Sequence, residues 1–518
     1  MARRKKILGA AIVGIVALVV YGLTVAPGLT WAHDGADGGD LAVAVANLGI
    51  PHPPGYPTYV LLGKLTTALL PLGDIAYRLN LLSVASATLA VIAVYLCLVC
   101  WPIVAQKGQS YKHMLVASGS AALMIAFSPT FWSQAIITEV YALNAAFVAV
   151  ILLLLFRILS RASETKTVLP WLGLILGIGL GNHQTLVLLI PSIVVLLWRR
   201  RHDLHLEWKV VAKASLATAA GLAVYLYLPL RAAARPVPNW GNPVTVERLL
   251  WMVSGSAYRH YLFGLPLSYV PARLSAWASG LLAQYGVWGV ILGLTGLWQL
   301  AENEGDRALA EGMLFFLYSI YALGYDTADS YVYLIPAYLV FALWIGRGIA
   351  YLLILALEQR KRWGSLPVLA LVVTLLLPLV PLGLNYASLD LSSDMEAARY
   401  GAGVVGQVPP GSIVISATDA HTFSLWYAQE VSDPRTDIVM IDRDLLQYPW
   451  YVENLRDRYP HLSLRWDTSD PSPLVDGLID AWCEEGPVFL TDPDERARAE
   501  YQLVTEGELY RVLSLAEP

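Results

Sequence analysis

Charge is scarce in this chain. Of 518 residues only 35 are Lys or Arg and 40 are Asp or Glu, together 14%, against about a quarter in an ordinary soluble protein. With 56% hydrophobic residues, that excludes a soluble enzyme and leaves a polytopic membrane protein. The net charge of −5, with no basic stripe of interleaved aromatics, excludes nucleic acid as a partner. Cysteine is rarer still, at three. Cys97 and Cys100 have CxxC spacing, but inside the apolar run VYLCLVCW, where they read as small buried hydrophobes. Cys483 stands alone, so no disulfide framework is implied. Internal repeats and low-complexity linkers are also missing. Trp (17) and Tyr (28), by contrast, are plentiful, as suits the interfacial belts of a membrane protein.

About eleven segments are apolar enough to span: 7–29, 79–106, 114–131, 140–159, 168–182, 184–198, 210–230, 282–300, 313–325, 333–357 and 366–384. The run after MARRKK exceeds the roughly 7–15 residues of a signal h-region, and reads as an uncleaved first helix. One set of links is short and basic: MARRKK, Lys107–His113, Arg157 to Lys166, Arg199 to Lys209, and EQRKR at 358–362. The positive-inside rule places that set, and the N-terminus, in the cytoplasm. The link 301–312 joins it by parity although acidic. Basic flanks on both sides of 168–198 predict a hairpin turning at Gly181-Asn182-His183 rather than one long helix. From Asn385 the pattern changes. GSIVIS (411–416), DIVMID (437–442), 487–492 and 508–515 read as strands, and 423–431 and 450–459 as helices. The expected architecture is therefore an α-helical membrane domain over 1–384 and an extracytoplasmic α/β domain over 385–518.

Every polar motif of note falls on the predicted outer face: Asp34–Asp40, His52, Glu139, His183, Arg231–Asn242 and Asp326–Asp329. Links converging on one side predict a single site. Carboxylates at a membrane boundary are costly without a partner or a task. Asp34, Asp37 and Asp40 are spaced three apart. If a helix begins at Asp37, Asp37 and Asp40 share its N-terminal face, where the dipole favours anions, and its AVAVANL tail lies along the membrane surface. Simple capping by Asp37 is an equal contender. In PHPPGYP (51–57) proline stiffens the backbone and would hold His52 and Tyr56 in place; a plain rigid connector accounts for the prolines as well. Glu139 sits at a helix start, where a cap partner is the commoner case, and His183 in an apolar hairpin, where a satisfied histidine is. Arg231 ends a span, and Arg259 follows with His260 in the same large loop. Such groups clamp phosphate or meet lipid headgroups.

DGGDL, LGIPHPPGYP, FSPTFWSQAIITEVYALN, GNHQT, LPLRA…PNWGNP and SLWYAQEV…RTDIVMIDRDLLQYPWYV resemble, in order, the protein O-mannosyltransferase-like family of GT-C membrane glycosyltransferases. Where that family has an Asp and a Glu around two small residues, this chain has Asp37 and Asp40. Its usual acidic Asn/Asp cluster reads Thr418-Asp419-Ala420-His421. The resemblance implies an inverting transfer of a sugar, mannose being one candidate, from a polyprenyl-phosphate donor to a protein or glycan hydroxyl on the outer face. A phosphate departs without strong acid help, so such an enzyme supplies a base and positive charge. Asp37 is then the base, with Asp40 orienting it or helping to hold the acceptor or a metal. His52, Tyr56, Glu139, His183, Arg231 and Arg259 become substrate contacts, with Glu139 a candidate ligand for a divalent ion. The competing classes are a transporter of lipid-linked sugars, which would carry repeats and charges at the midplane, and a non-enzymatic assembly protein. Transfer predicts that Asp37→Asn abolishes activity while the protein still folds and inserts. A purified variant transferring sugar at the normal rate removes Asp37 from the base role.

Overall fold

The computed structural model describes residues 2–100, 111–362, 364–460, 462, 472–482 and 486–515. Lys107 to Ser110 of one basic link, and Cys483, lie outside them. Among the described residues, each of the eleven expected spans is largely helical; residues 101–106 of the second lie outside them. Among the described residues, seven helices are long and apolar enough to cross a membrane alone by length and composition. The pair Lys112–Ala126 and Pro129–Ala135, bent by 70°, makes an eighth if taken as one span. Proline 129 explains the bend: it opens the second helix, having no N–H to continue the first. Thr165–Leu180 and Gln184–Arg199 are separate helices on either side of Gly181–His183, as the basic flanks require.

Gly305–Gly324 is a full helix, begun eight residues before the expected span. It carries Asp306, Arg307 and Glu311, charges that hide its start from a hydropathy scan. The fold spends them within the bundle. Arg307 Nε donates to Glu311, one turn on, both nearly fully buried; Arg347 Nη1 reaches Glu304 at 3.2 Å; and Asp306 pairs with Arg199 and Arg200. The acidic link is thus the counter-charge to the basic end of Gln184–Arg199.

Pro57–Leu69 is a helix that the span pattern passes over, because Lys64 interrupts it. Lys64 Nζ donates instead to Ala46 O (2.6 Å), at the C-terminal end of the helix Gly38–Asn47. That helix does not lie on a membrane surface. Residues Gly38–Val45 are all buried. They contact the helices Pro57–Leu69 and Ile75–Cys100 of the N-terminal part and Asp419–Tyr427 of the C-terminal part. The approach is closest at Gly39, where a Cβ would stand 2.3 Å from Phe423 O.

Asp419–Tyr427 belongs to the C-terminal sheet unit. Its five strands are β1 (Ile413–Ser416), β2 (Val439–Asp442), β3 (Val488–Leu490), β4 (Tyr501–Glu506) and β5 (Leu509–Leu515), in the order β2-β1-β3-β5-β4. β1 runs parallel to β2 and β3, and β5 antiparallel to β3 and β4. The three parallel strands β1, β2 and β3 are buried, as their continuous apolar runs predict. β4 was not expected, since its polar, mostly exposed sequence YQLVTE is that of an edge. The helix Glu396–Gln407 was also not expected; it packs on Asp419–Tyr427 at Gly401.

A side chain at Gly39 must therefore separate two backbones. Gly39→Val is expected to cost about 1–3 kcal/mol, as overpacking does, and to lower the melting temperature in detergent. An unchanged melting temperature would show that the sheet unit does not depend on this contact.

Candidate active site

The helix Gly38–Asn47 is fixed at both ends. At its C-terminal end, Arg231 donates to Leu48 O (2.7 Å) and Asn47 O (3.1 Å), alongside Lys64. These cations meet the carbonyls where the dipole is negative. Arg231 is thereby engaged in the scaffold and does not line the cavity described below. At the N-terminal end, Asp40 has no exposure and accepts three hydrogen bonds. His52 gives two, from its backbone N–H (2.8 Å) and from Nδ1 (2.9 Å); Trp240 Nε1 gives the third (3.1 Å). Trp240 is held in reach because its loop pairs with the backbone at Ile50, with Trp240 N donating to Ile50 O at 3.1 Å.

Asp37 does not cap the helix: it sits at the N-cap position without a side-chain cap bond. Its carboxylate faces the other ring nitrogen of His52, with Nε2 3.4 Å from Oδ2. The histidine therefore bridges two carboxylates, one sealed and one open. Asp37 keeps 38% side-chain exposure while Asp40 keeps none. The loop behind His52 closes by Gly55 N–H to His52 O (2.9 Å). Gly55 takes φ +87°, and a Cβ there would stand 2.9 Å from Leu228, so glycine is required. Tyr56 packs edge-on against the His52 ring at 5.0 Å.

The exposure of Asp37 is to a cavity of about 580 Å³. His52, Tyr56, His183 and Arg259 line it, with Asp34, Asp329 and Asp419. Tyr141, Tyr258, Tyr325 and Tyr333 supply much of its wall. Six segments far apart in sequence thus meet in one place. Asp34 is occupied by the Tyr331 hydroxyl (2.7 Å). Arg259 is exposed and no carboxylate pairs with it among the described residues. Glu139 is buried beneath this lining rather than part of it, with Oε2 accepting from Val140 N–H (3.2 Å). Among the described residues no group of three His, Cys, Asp or Glu side chains is arranged to hold a metal ion.

The electrostatics follow from this packing. Burial pulls the His52 imidazole down, but Asp37 and Asp40 outweigh it and raise its pKa to about 9. Burial pushes the Asp37 carboxyl above the usual range, against the pull of His52. Glu139 is driven well above that range by burial and then by Asp37. His183 is lowered to about 4 by burial and the neighbouring His52 charge. It is therefore a neutral ring, whose Nδ1 lies 2.8 Å from Thr185 Oγ1. Such a ring offers a hydrogen bond rather than charge. Burial raises Asp419 to about 6. Asp419, Asp329 and Trp240 were absent from the residues singled out individually. The 418–421 run, the 326–329 run and the block PNWGNP held the signal, but no local pattern says that these three converge.

The N-terminal domain model of protein O-mannosyl-transferase TMEM260 matches residues 37–206, and the TMEM260-associated domain 2 model matches 397–464. The first begins at Asp37 and the second contains Asp419. Over these two segments the chain is similar to protein O-mannosyl-transferase TMEM260. It is 24% identical over 476 residues to protein O-mannosyl-transferase TMEM260 of Mus musculus, which covers 86% of this chain and 64% of the mouse protein. A Dictyostelium discoideum protein of the same name is 22% identical over 543 residues, covering 94% and 64%. The chain thus spans 64% of the length of these relatives. The crystal structure of ArnT from Cupriavidus metallidurans bound to undecaprenyl phosphate superposes over 97% of both chains, with a TM-score of 0.62 at 12% identity. Its apo form gives 0.58 at 14%, over 98% of both. At those identities the likeness establishes the fold alone.

Because the folded pKa of His52 lies above the ordinary 6.5, its charge stabilises the native state fully below pH 6.5, and that contribution is lost as pH rises through about 9. The amount is on the order of 3 kcal/mol. The melting temperature is expected to fall between pH 6.5 and 9, and His52→Gln is expected to flatten that slope. An equal slope in both proteins would place the titration elsewhere.

Proposed function

We propose that this protein is a membrane glycosyltransferase that moves a sugar, with mannose one candidate, from a polyprenyl-phosphate donor to an acceptor hydroxyl. The observation that carries the reading is the Asp40–His52–Asp37 arrangement opening onto a cavity. The names of the relatives and the undecaprenyl phosphate in the ArnT structure support it. The basic links stand at the opposite end of the helices from this cavity, and by the positive-inside rule this supports a cavity and sheet unit outside and an N-terminus in the cytoplasm; a plasma-membrane location is part of the same proposal. Nucleotide sugars stay in the cytoplasm, and an outward-facing transferase needs a donor delivered by lipid.

In the reaction the acceptor oxygen attacks the anomeric carbon of the donor. Its proton passes to Asp37, the glycosidic bond forms, and the carbon–oxygen bond to phosphate breaks with its electron pair on the phosphate. A single displacement inverts the anomeric centre. Burial makes Asp37 more basic, and His52, charged at neutral pH, keeps it ionised until the acceptor proton arrives. Asp40 holds His52 in orientation. Arg259 is the cation available for the developing phosphate charge. Neutral His183 and Tyr56 suit hydroxyls of the sugar.

Purified protein is to be incubated with a panel of polyprenyl-phosphate sugars and candidate protein or glycan acceptors, following released lipid phosphate by mass spectrometry. Acceptor-dependent release from at least one donor is expected. It should fall about 10²–10⁴-fold in Asp37→Asn, and Arg259→Gln should weaken donor use. Arg231→Gln is expected to act on stability instead. Absence of release from every donor, with folded protein, overturns the reading.

A further inference from the structure

The segment Ala32–Asp37, which carries Asp37 into the cavity, has a backbone that its own sequence does not favour. His33 and Asp34 are left-handed in succession, both at φ +60°. That conformation is uncommon at one residue with a Cβ and rarer at two together. It persists where the surroundings over-determine it, and such places cluster at active sites.

The surroundings here come from three remote parts of the chain. Gln134, only 1% exposed, donates from Nε2 to His33 O at 3.1 Å. The Tyr331 hydroxyl donates to Asp34 Oδ2 at 2.7 Å. Trp31, just before the turn, shares its Nε1–H between Ala420 O (2.9 Å) and Ser424 Oγ (2.8 Å). Its ring also meets Tyr400 and His421 at 5.3 and 5.5 Å between centroids. Ala420 and Ser424 lie on Asp419–Tyr427, so this anchor belongs to the sheet unit. Thr30 adds a bond from its hydroxyl to Asp394 and accepts Ala32 N–H at 3.0 Å.

Asp37 itself makes no side-chain cap bond, and among the described residues His52 is its one ion-pair partner, at 3.4 Å. Its place is therefore set by the backbone on either side: the buried helix Gly38–Asn47 after it, and the left-handed turn before it. Neither Trp31 nor Tyr331 lines the cavity, so neither touches a substrate held there. We infer that Trp31, through its bonds to the sheet unit, and Tyr331, through Asp34, are positioning residues that hold this turn and so set the Asp37 carboxylate against His52 Nε2. The sheet unit thereby acts on Asp37 without reaching the reacting atoms. That Asp37 is a base rests on the glycosyltransferase reading; its placement does not.

The test follows the His52 ring by NMR in full-length, histidine-labelled protein in nanodiscs, with His52→Gln giving the assignment. Burial lowers the His52 pKa, and Asp37 and then Asp40 raise it to about 9, so the ring reports where the Asp37 carboxylate stands. Asp37→Asn, the control, is expected to bring the titration below about 8. Trp31→Phe, which keeps a ring but removes the donor, and Tyr331→Phe, which removes one hydroxyl, should each bring it part of the way in folded protein. In the transfer assay each should lower kcat about 10–10²-fold at unchanged KM. A His52 titration unmoved in either variant overturns the assignment of that residue, as does a raised KM at unchanged kcat. A lowered titration with transfer at the wild-type rate overturns the base role of Asp37 and leaves the positioning standing. With no transfer from any donor, the titration decides alone.

Discussion

A carboxylate with no access to solvent holds this molecule's site together. Asp40 belongs to the helix Gly38–Asn47, His52 to the loop after it, and Trp240 to a loop two hundred residues away. All three meet at two oxygens. Taking an ion out of water costs several kcal/mol unless its lone pairs are satisfied, and removing one partner of such a group costs about 3–5 kcal/mol. The donors are therefore not optional, and their carriers are drawn to Asp40 with the force of that penalty. The histidine, once turned by Nδ1 toward Asp40, can only present Nε2 to Asp37. The direction of the outward-facing nitrogen is set by the buried one.

The same helix joins the two parts of the chain. Its buried residues contact membrane helices on one face and Asp419–Tyr427 on the other, and Gly39 lets the two backbones touch. Asp419 enters the cavity beside Asp37 from the sheet unit. The C-terminal unit thus completes the wall of a cavity to which the N-terminal part brings Asp37, His52 and Tyr56. A rigid body built this way keeps its cavity polar groups at fixed spacing, which preorganised catalysis requires.

Much of this was legible from the chain. Long apolar segments separated by basic and polar links are read directly from periodicity and charge, and the hairpin at Gly181–His183 followed from basic flanks alone. The parallel strands β1 to β3 were visible because buried parallel strands are continuous apolar runs. Elements whose identity depends on neighbours were less visible. Pro57–Leu69 is interrupted by a lysine that caps another helix. The start of Gly305–Gly324 is masked by charges that pair inside the bundle. In the site, clustered acids and a proline-held histidine were apparent, but Arg231 and Arg259 look alike in sequence. Only the fold shows that one guanidinium is spent on helix carbonyls and the other faces the cavity. Asp419 was hidden for the same reason, since its contact with the cavity is made across nearly four hundred residues.

The charge balance at Asp37 explains why two acids flank one histidine. A lone buried carboxyl is a strong base only when ionised, and burial opposes ionisation. A carboxylate beside a full positive charge is ionised but weakly basic. Here burial and the neighbouring acids push Asp37 up, while His52 pulls it down. Asp40 makes that compromise stable by keeping the imidazolium charged when Asp37 takes a proton. Without Asp40, protonation of Asp37 would remove the remaining charge that holds His52 in its cationic form, and burial would then drive the imidazole to neutrality. In the proposed transfer, the second carboxylate is what would let the first take up and release a proton without the histidine changing its own charge.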